Sequence, residues 1–163
     1  MEIWGFTFVA GLIGSVFMDL AELQMSKSGV SSGVKGAYIG RWVKGVMGGV
    51  FIQPDIVKTS PVENEQDIGQ LFHFIVGGGV VALAYPMFLL IIDLGVSANH
   101  LLWATLFGLL TCVLPWFVLM PSLGWGVFGR KAPSGSRPII APILSHIAYG
   151  LGIGISFVIY NHS

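Results

Sequence analysis

Charge is scarce in this chain. Of its 163 residues, 10% are Asp, Glu, Lys or Arg, whereas a soluble domain carries about 25%. Hydrophobic residues make up 54% and the mean hydropathy is +0.81. Water is therefore not the solvent for most of this surface, and no large water-excluding core is required. Cysteine is nearly missing. The single Cys112 sits inside an apolar run, which excludes an intrachain disulfide and suits a small residue facing lipid or another helix. Formal net charge is zero, so nothing points to nucleic acid. Residues Met1-Glu2-Ile3-Trp4 contain no basic residue. They lack the positive start of a cleavable signal peptide, and the first apolar run is expected to stay in the protein. No H-E-x-x-H or C-x-x-C spacing occurs, so no metal motif is present.

What the chain does have is length in its apolar runs. A bilayer-spanning helix needs roughly 20 mostly apolar residues. Four stretches meet this: 3–23, 68–92, 101–120 and 139–160. Lys27, Lys35, Arg41, Lys44 and Lys58 fall between the first and second spans, and Arg130, Lys131 and Arg137 between the third and fourth. These are all eight basic residues. The Asp93–Asn99 turn and Asn161-His162-Ser163 have none. By the positive-inside rule both termini are expected on the non-cytoplasmic side. The expected fold class is all-α: an integral membrane four-helix bundle in a single domain.

Residues 36–53 are apolar but carry Arg41 and Lys44, with glycines at 36, 40, 45 and 49. They are expected to form a further cytoplasmic helix, lying in the interface or re-entrant, with basic side chains reaching for headgroups. A polar loop follows, and Asp67 is placed to cap the second span. Pro86 and Pro115 are expected to kink the second and third spans. Pro138 and Pro142 stand where the fourth begins. Trp42, Trp103, Trp116 and Trp125 are expected in interface belts.

One pattern occurs twice. Leu71–Gly79 and Leu144–Gly152 both fit L-x-H-x-x-x-G-x-G. On a helix, i and i+4 share a face, so His73 lies above Gly77 and His146 above Gly150. The two copies sit in spans of the same direction, each preceded by a segment containing Gly-Arg, which raises a tandem two-span repeat. Gly77, Gly79, Gly150, Gly152 and Gly154 are read as packing positions where backbones approach. Gly150 and Gly154 form a G-x-x-x-G. Making room for a permeant molecule is the other use of the same glycines.

These residues also carry a resemblance. Gly40-Arg41-Trp42, Pro61-Val62 with Glu65, Gly69 and His73, Pro115-Trp116-Phe117 with Pro121, Gly124 and Gly126, and His146 with Gly150 follow in order along almost the whole chain. The chain resembles a bacterial family of small membrane proteins, domain of unknown function 2938. The resemblance implies about four spans and brings no established activity. Gln53 departs from it, since histidine is expected there in many relatives.

By depth, at about 1.5 Å per residue, Asp19, His73 and His146 share the cytoplasmic half of the membrane, with Glu65 and Arg41 in the adjoining segment. Ionisable groups at depth cost about 2.5–3.5 kcal/mol for Asp or Lys, and they face the bundle interior. His73 and His146 are read first as neutral histidines that hydrogen-bond a carbonyl or each other to hold helices together; otherwise His73, His146, Asp19, Glu65 and Arg41 are the candidate binding residues of a cytoplasm-facing polar pocket. No catalytic residue or nucleophile motif is expected. No cofactor is expected either; a metal between His73 and His146, with Asp19 or Glu65 as a further ligand, is the exception considered. Three functions follow. The first is binding or moving a small molecule or ion through the pocket, from a bacterial inner membrane. The second is a structural or partner-binding protein whose glycine faces form a homo-oligomer in the bilayer. The third is a lipid-acting membrane enzyme with a histidine base.

Overall fold

A computed structural model describes residues 3–94 and 99–162. The described residues form helices and loops and no strand. Helix α1 is Ile3–Lys27 and the short α2 is Gly36–Met47. Helix α3 is Glu65–Ile91, α4 is His100–Ser122 and α5 is Ile140–His162. A single 3₁₀ turn, Val127–Gly129, lies between α4 and α5. Helices α1, α3, α4 and α5 are each long and apolar enough to cross a membrane. Side chains such as Leu20, Leu90 and Leu110 are exposed around the outside. In lipid that exposure is cheap, because hydrocarbon tails are as apolar as leucine. The turn expected over 93–99 and the extreme termini fall partly outside the described residues.

Expected and observed spans agree to within four residues at their ends. The short helix is shorter than the sequence suggests. It stops at Met47 instead of 53, because Gly49 adopts φ +85°. The Gly49 N–H then donates to Val46 O and the Val50 N–H to Gly45 O, at 2.9 and 2.8 Å. This is the Schellman arrangement that closes a helix on glycine. Asp67 does not cap α3. The helix starts earlier, after Asn64 in a left-handed conformation, and Asp67 sits in its first turn, where a negative charge favours the helix dipole. Helix α3 widens to π-helix over His73–Val80, ahead of Pro86, and α4 over Pro115–Leu119. Such widened turns are rare and occur often at functional sites.

The membrane helices stand in the order α3, α1, α5, α4, and three of their seams are built on glycine. A Cβ on Gly11 of α1 would strike Gly78 O of α3. Gly152 of α5 lies on Gly14 of α1, and Gly150 of α5 lies against Ala104 and Gly108 of α4. Gly154 packs on His100 and Leu101, and Gly79 on the Phe8 ring. The two helices that carry the repeated histidine motif, α3 and α5, are therefore not packed face to face. Each lays its glycines on α1 or α4, and they meet chiefly through side chains. Gly77 differs from the other four. A Cβ there would meet only His73 Nδ1, at 3.7 Å, so this glycine borders open space. The two halves of the chain also pack differently: α1 lies along α5, while α3 and α4 touch mainly at one end.

At that end, opposite the basic loops, aromatic rings close the bundle. Tyr85 of α3 lies 5.2 Å from Phe157 and 5.4 Å from Phe107, and Phe6 lies 5.0 Å from Phe157. At the basic end the helices are splayed, and a second core fills in. Ile56, Met120, Leu123 and Trp125 are buried there. Trp125 is 1% exposed, a core residue where an interface belt was expected. The loop after α2 is tied to the end of α4 by Gln53 N–H to Ser122 O at 2.8 Å and Ile56 N–H to Leu123 O at 3.0 Å.

Glycine seams of this kind have a testable signature. Gly150→Leu is expected to destabilise the protein by at least about 3 kcal/mol, because the added side chain meets backbone that cannot yield. Gly77→Ala, which adds a methyl group to open space, should be neutral or stabilising by about 0.5–1 kcal/mol. Unfolding in mixed detergent–SDS micelles measures both.

Candidate functional site

The splay between α3 and the α4–α5 pair leaves a cavity of about 390 Å³. Its walls come from α1, α3, α4 and α5, with α2 across the basic end. It runs inward to Val81, Thr111 and Tyr149, beyond which the aromatic cluster begins. A second, polar cleft of about 350 Å³ lies at the basic end and shares Asp19, Glu22, Ser32 and Gln70 with the cavity.

Asp19, His73 and His146 all line this cavity. His73 Nε2 is 3.0 Å from Asp19 Oδ1, and Gln70 Nε2 donates to Asp19 Oδ2 at 3.1 Å. The spacing explains the pair of contacts. Gln70 and His73 are i and i+3 on α3 and reach the same carboxylate on α1. Glu22 stands one turn after Asp19, half-buried on the same lining, and has no hydrogen-bond or ion-pair partner among the described residues.

His146 is oriented differently. Thr111 Oγ1 is 2.6 Å from Gly108 O and 2.8 Å from His146 Nδ1. A hydroxyl has one proton. The Gly108 carbonyl can only accept, so Thr111 donates to it. His146 Nδ1 must then carry a hydrogen and donate to Thr111. The other ring nitrogen, Nε2, is left with a lone pair and no protein partner among the described residues. Tyr149 lies one turn deeper, 1% exposed, and its hydroxyl donates to Gly78 O at 2.7 Å. That bond joins α5 to α3 across the back of the cavity.

Arg41 and Glu65 form a separate arrangement, and neither lines the cavity. The guanidinium meets Glu65 in bidentate fashion, Nε to Oε2 at 2.9 Å and Nη2 to Oε1 at 2.8 Å. Its Nη1 donates to the Ile56 and Thr59 carbonyls. The Arg41 side chain is 7% exposed, so it does not reach for headgroups; Lys44 is the exposed cation of α2. The hydrogen bonds it donates to Glu65 raise the guanidinium pKa further above its ordinary value, so Arg41 is charged at every physiological pH. Beside this clamp α2 and α3 reach their closest approach. A Cβ on Gly40 would strike Glu65 O, and one on Gly69 would strike Gly36 O. Arg41 thus locks α2 against α3 and holds the loop that follows it.

Sequence reasoning passed over Thr111, Tyr149, Glu22 as a cavity residue, and His100. Tyr149 had a signal, a hydroxyl-bearing ring within the repeated motif. His100 had none. It is 2% exposed in the closed end, with Nδ1 2.9 Å from the Tyr85 hydroxyl, although that half of the bundle reads as free of ionisable groups between its ends.

Two further arrangements bear on metal and nucleophile chemistry. A structural or catalytic zinc takes three or four protein ligands, and among the described residues no three His, Cys, Asp or Glu side chains converge. Residues Gly29-Val30-Ser31-Ser32-Gly33 do spell G-x-S-x-G, contrary to the expectation that no nucleophile pattern is present. They form a loop between two helices, not the strained strand-to-helix elbow that exposes a catalytic serine. Ser31 Oγ accepts the Gly33 N–H at 3.1 Å, with no histidine bonded to it among the described residues.

Two outcomes test these assignments. Arg41→Met is expected to cost about 3–5 kcal/mol by leaving Glu65 without its partner, and the double variant Arg41→Met/Glu65→Leu to cost clearly less; unfolding in mixed micelles reads the difference. In ¹⁵N spectra at neutral pH, His146 should show a protonated Nδ1 and a bare Nε2, and Thr111→Val should abolish that preference.

No curated protein matches the chain, and no solved structure does. A family model does, over residues 8–160, described as protein of unknown function (DUF2938). That span takes in α2, α3 and α4 whole, most of α1 and α5, and both histidine motifs, and the chain is a member of the DUF2938 family.

Proposed function

We propose that this chain is a non-enzymatic membrane protein that binds a small molecule or ion in the cavity and moves it across a bacterial inner membrane. The observation that carries the reading is the asymmetry of the bundle. The cavity reaches the basic end through a polar cleft, while the other end is packed with aromatic rings. All eight basic residues lie at the open end, on the last turn of α1 or in the segments joining α1 to α3 and α4 to α5. With those segments in the cytoplasm, both termini are non-cytoplasmic and the cavity is an inward-open chamber.

A volume near 390 Å³ lies within the usual range of small-molecule sites, about 300–1,000 Å³. Asp19, His73 and His146 place polar groups on a wall that is otherwise mostly apolar, which is the makeup of such sites. The homo-oligomer reading draws less support. The glycine faces on which it was based are covered by helices of the same chain.

Proteoliposomes loaded with a panel of labelled ions, amines, acids and sugars test this. Uptake of at least one compound above empty liposomes is expected, and His73→Ala and His146→Ala should each lower it about tenfold. Variants that transport like the parent would remove the pocket from the pathway. In a Cys112→Ser background, Gly77→Cys should react with an impermeant maleimide from the cytoplasmic face and not from the other.

A further inference from the structure

We infer that the cavity takes an organic cation, an ammonium group carried on an apolar body. The inference rests on the small-molecule reading above and names its ligand class from the hydrogen-bonding capacity left over in the wall. The donors along the inner wall are already engaged inside the protein, while Ser32, nearer the mouth, accepts the Val34 N–H and keeps its own proton. Tyr149 donates to Gly78 O, Thr111 to Gly108 O and Ser145 to Pro142 O. Trp42 Nε1 donates to Phe51 O and Gln70 to Asp19. Lys35 contributes to the rim, but its ammonium lies over the Tyr38 ring, 5.5 Å from the centroid, and Tyr38 is not part of the wall.

What remains open is acceptor capacity. Glu22 has both oxygens unmatched. Asp19 has one contact to each oxygen, where a carboxylate oxygen can accept two. His146 Nε2 presents a lone pair, fixed by Thr111 on the far side of the ring. A ligand that accepts hydrogen bonds would find two carboxylates, with free donors chiefly at the mouth on Ser32 and Lys35. An uncharged ligand would leave Glu22 unpaired. A protonated amine matches acceptors of this kind, and charge-assisted bonds to carboxylates are the stronger ones.

The walls fit the remainder of such a molecule. Ile39, Val76, Val118 and Leu119 supply aliphatic surface. Trp42 and Phe72, 5.5 Å apart edge to face, supply aromatic surface that also attracts cations. The cleft shared through Asp19, Glu22 and Gln70 is rich in serine, with Ser26, Ser31 and Ser32 on its sides. A hydrated ammonium reaches the carboxylates by that route past these hydroxyls, and the apolar body follows into the cavity.

The test compares three probes of one shape: 4-phenylbutylamine, 4-phenylbutanol and 4-phenylbutyrate. Each is titrated calorimetrically into the full chain in nanodiscs of zwitterionic lipid, with empty nanodiscs subtracted. The amine is expected to bind about tenfold or more tighter than the alcohol, with the acid weakest. Glu22→Gln, which breaks no internal bond, should weaken the amine about tenfold and leave the alcohol unchanged. Asp19→Asn should act in the same direction. Equal affinities, a preference for the acid, or an amine affinity indifferent to both substitutions would overturn the cation class while leaving a ligand-binding cavity. Absence of binding by all three would overturn the class and the cavity reading together.

Discussion

Membrane helices gain little by burying apolar side chains against each other, because lipid offers the same environment. Association must come from close van der Waals approach and from polar contacts, and this chain obtains the first through glycine. Gly11 against Gly78, Gly14 against Gly152 and Gly108 against Gly150 bring backbones together along α3–α1, α1–α5 and α5–α4. A fourth seam, Gly36 and Gly40 against Gly69, does the same for α2 and α3. Each seam joins one pair of neighbours and leaves α3 and α4 without a glycine contact between them. The cavity exists because that last seam is missing. Aromatic rings join α3 to α4 and α5 at one end, and nothing comparable joins them at the other.

The open end would be weak without reinforcement, and polar bonds provide it. Arg41 satisfies Glu65, two backbone carbonyls and its own need for partners within one nearly buried site. Buried ion pairs of this kind contribute modestly to net stability but strongly disfavour arrangements that separate the partners. Here the arrangement at stake is the position of α2, which walls the cavity mouth with Ile39 and Trp42. The Arg41–Glu65 pair and the Asp19–His73 pair therefore do different work although both join a base to an acid. One is nearly sealed from solvent and structural. The other faces a cavity, with side chains 38% and 22% exposed, and is available to a ligand.

Polar groups in the cavity fall into a hierarchy of commitment. Thr111, Ser145 and Tyr149 are bonded to backbone carbonyls that the widened and proline-interrupted helices bring within reach. Asp19 is partly committed, and Glu22 is not committed at all. This gradient runs from a structural back wall to carboxylates near the mouth that have acceptor capacity left over.

Much of this was legible in the residues themselves. Long apolar runs admit only membrane helices, since backbone groups in hydrocarbon must pair within the segment, so the four spans and their approximate ends follow from hydropathy alone. The one-sided basic residues and the shared depth of Asp19, His73 and His146 likewise follow from position along the spans. Which glycine meets which helix did not follow, because a small-residue face is complementary to any other small-residue face, and α3 and α5 turned out to lay theirs on α1 and α4 instead of on each other. The pairing of Arg41 with Glu65, 24 residues apart, and the withdrawal of both from the pocket depended on how α2 folds back, which a Gly48-Gly49 stop decides only together with its packing. Local sequence sets period and polarity within about one helical turn; the cavity arises from a contact that is absent between two helices, and an absent contact leaves no mark on either helix alone.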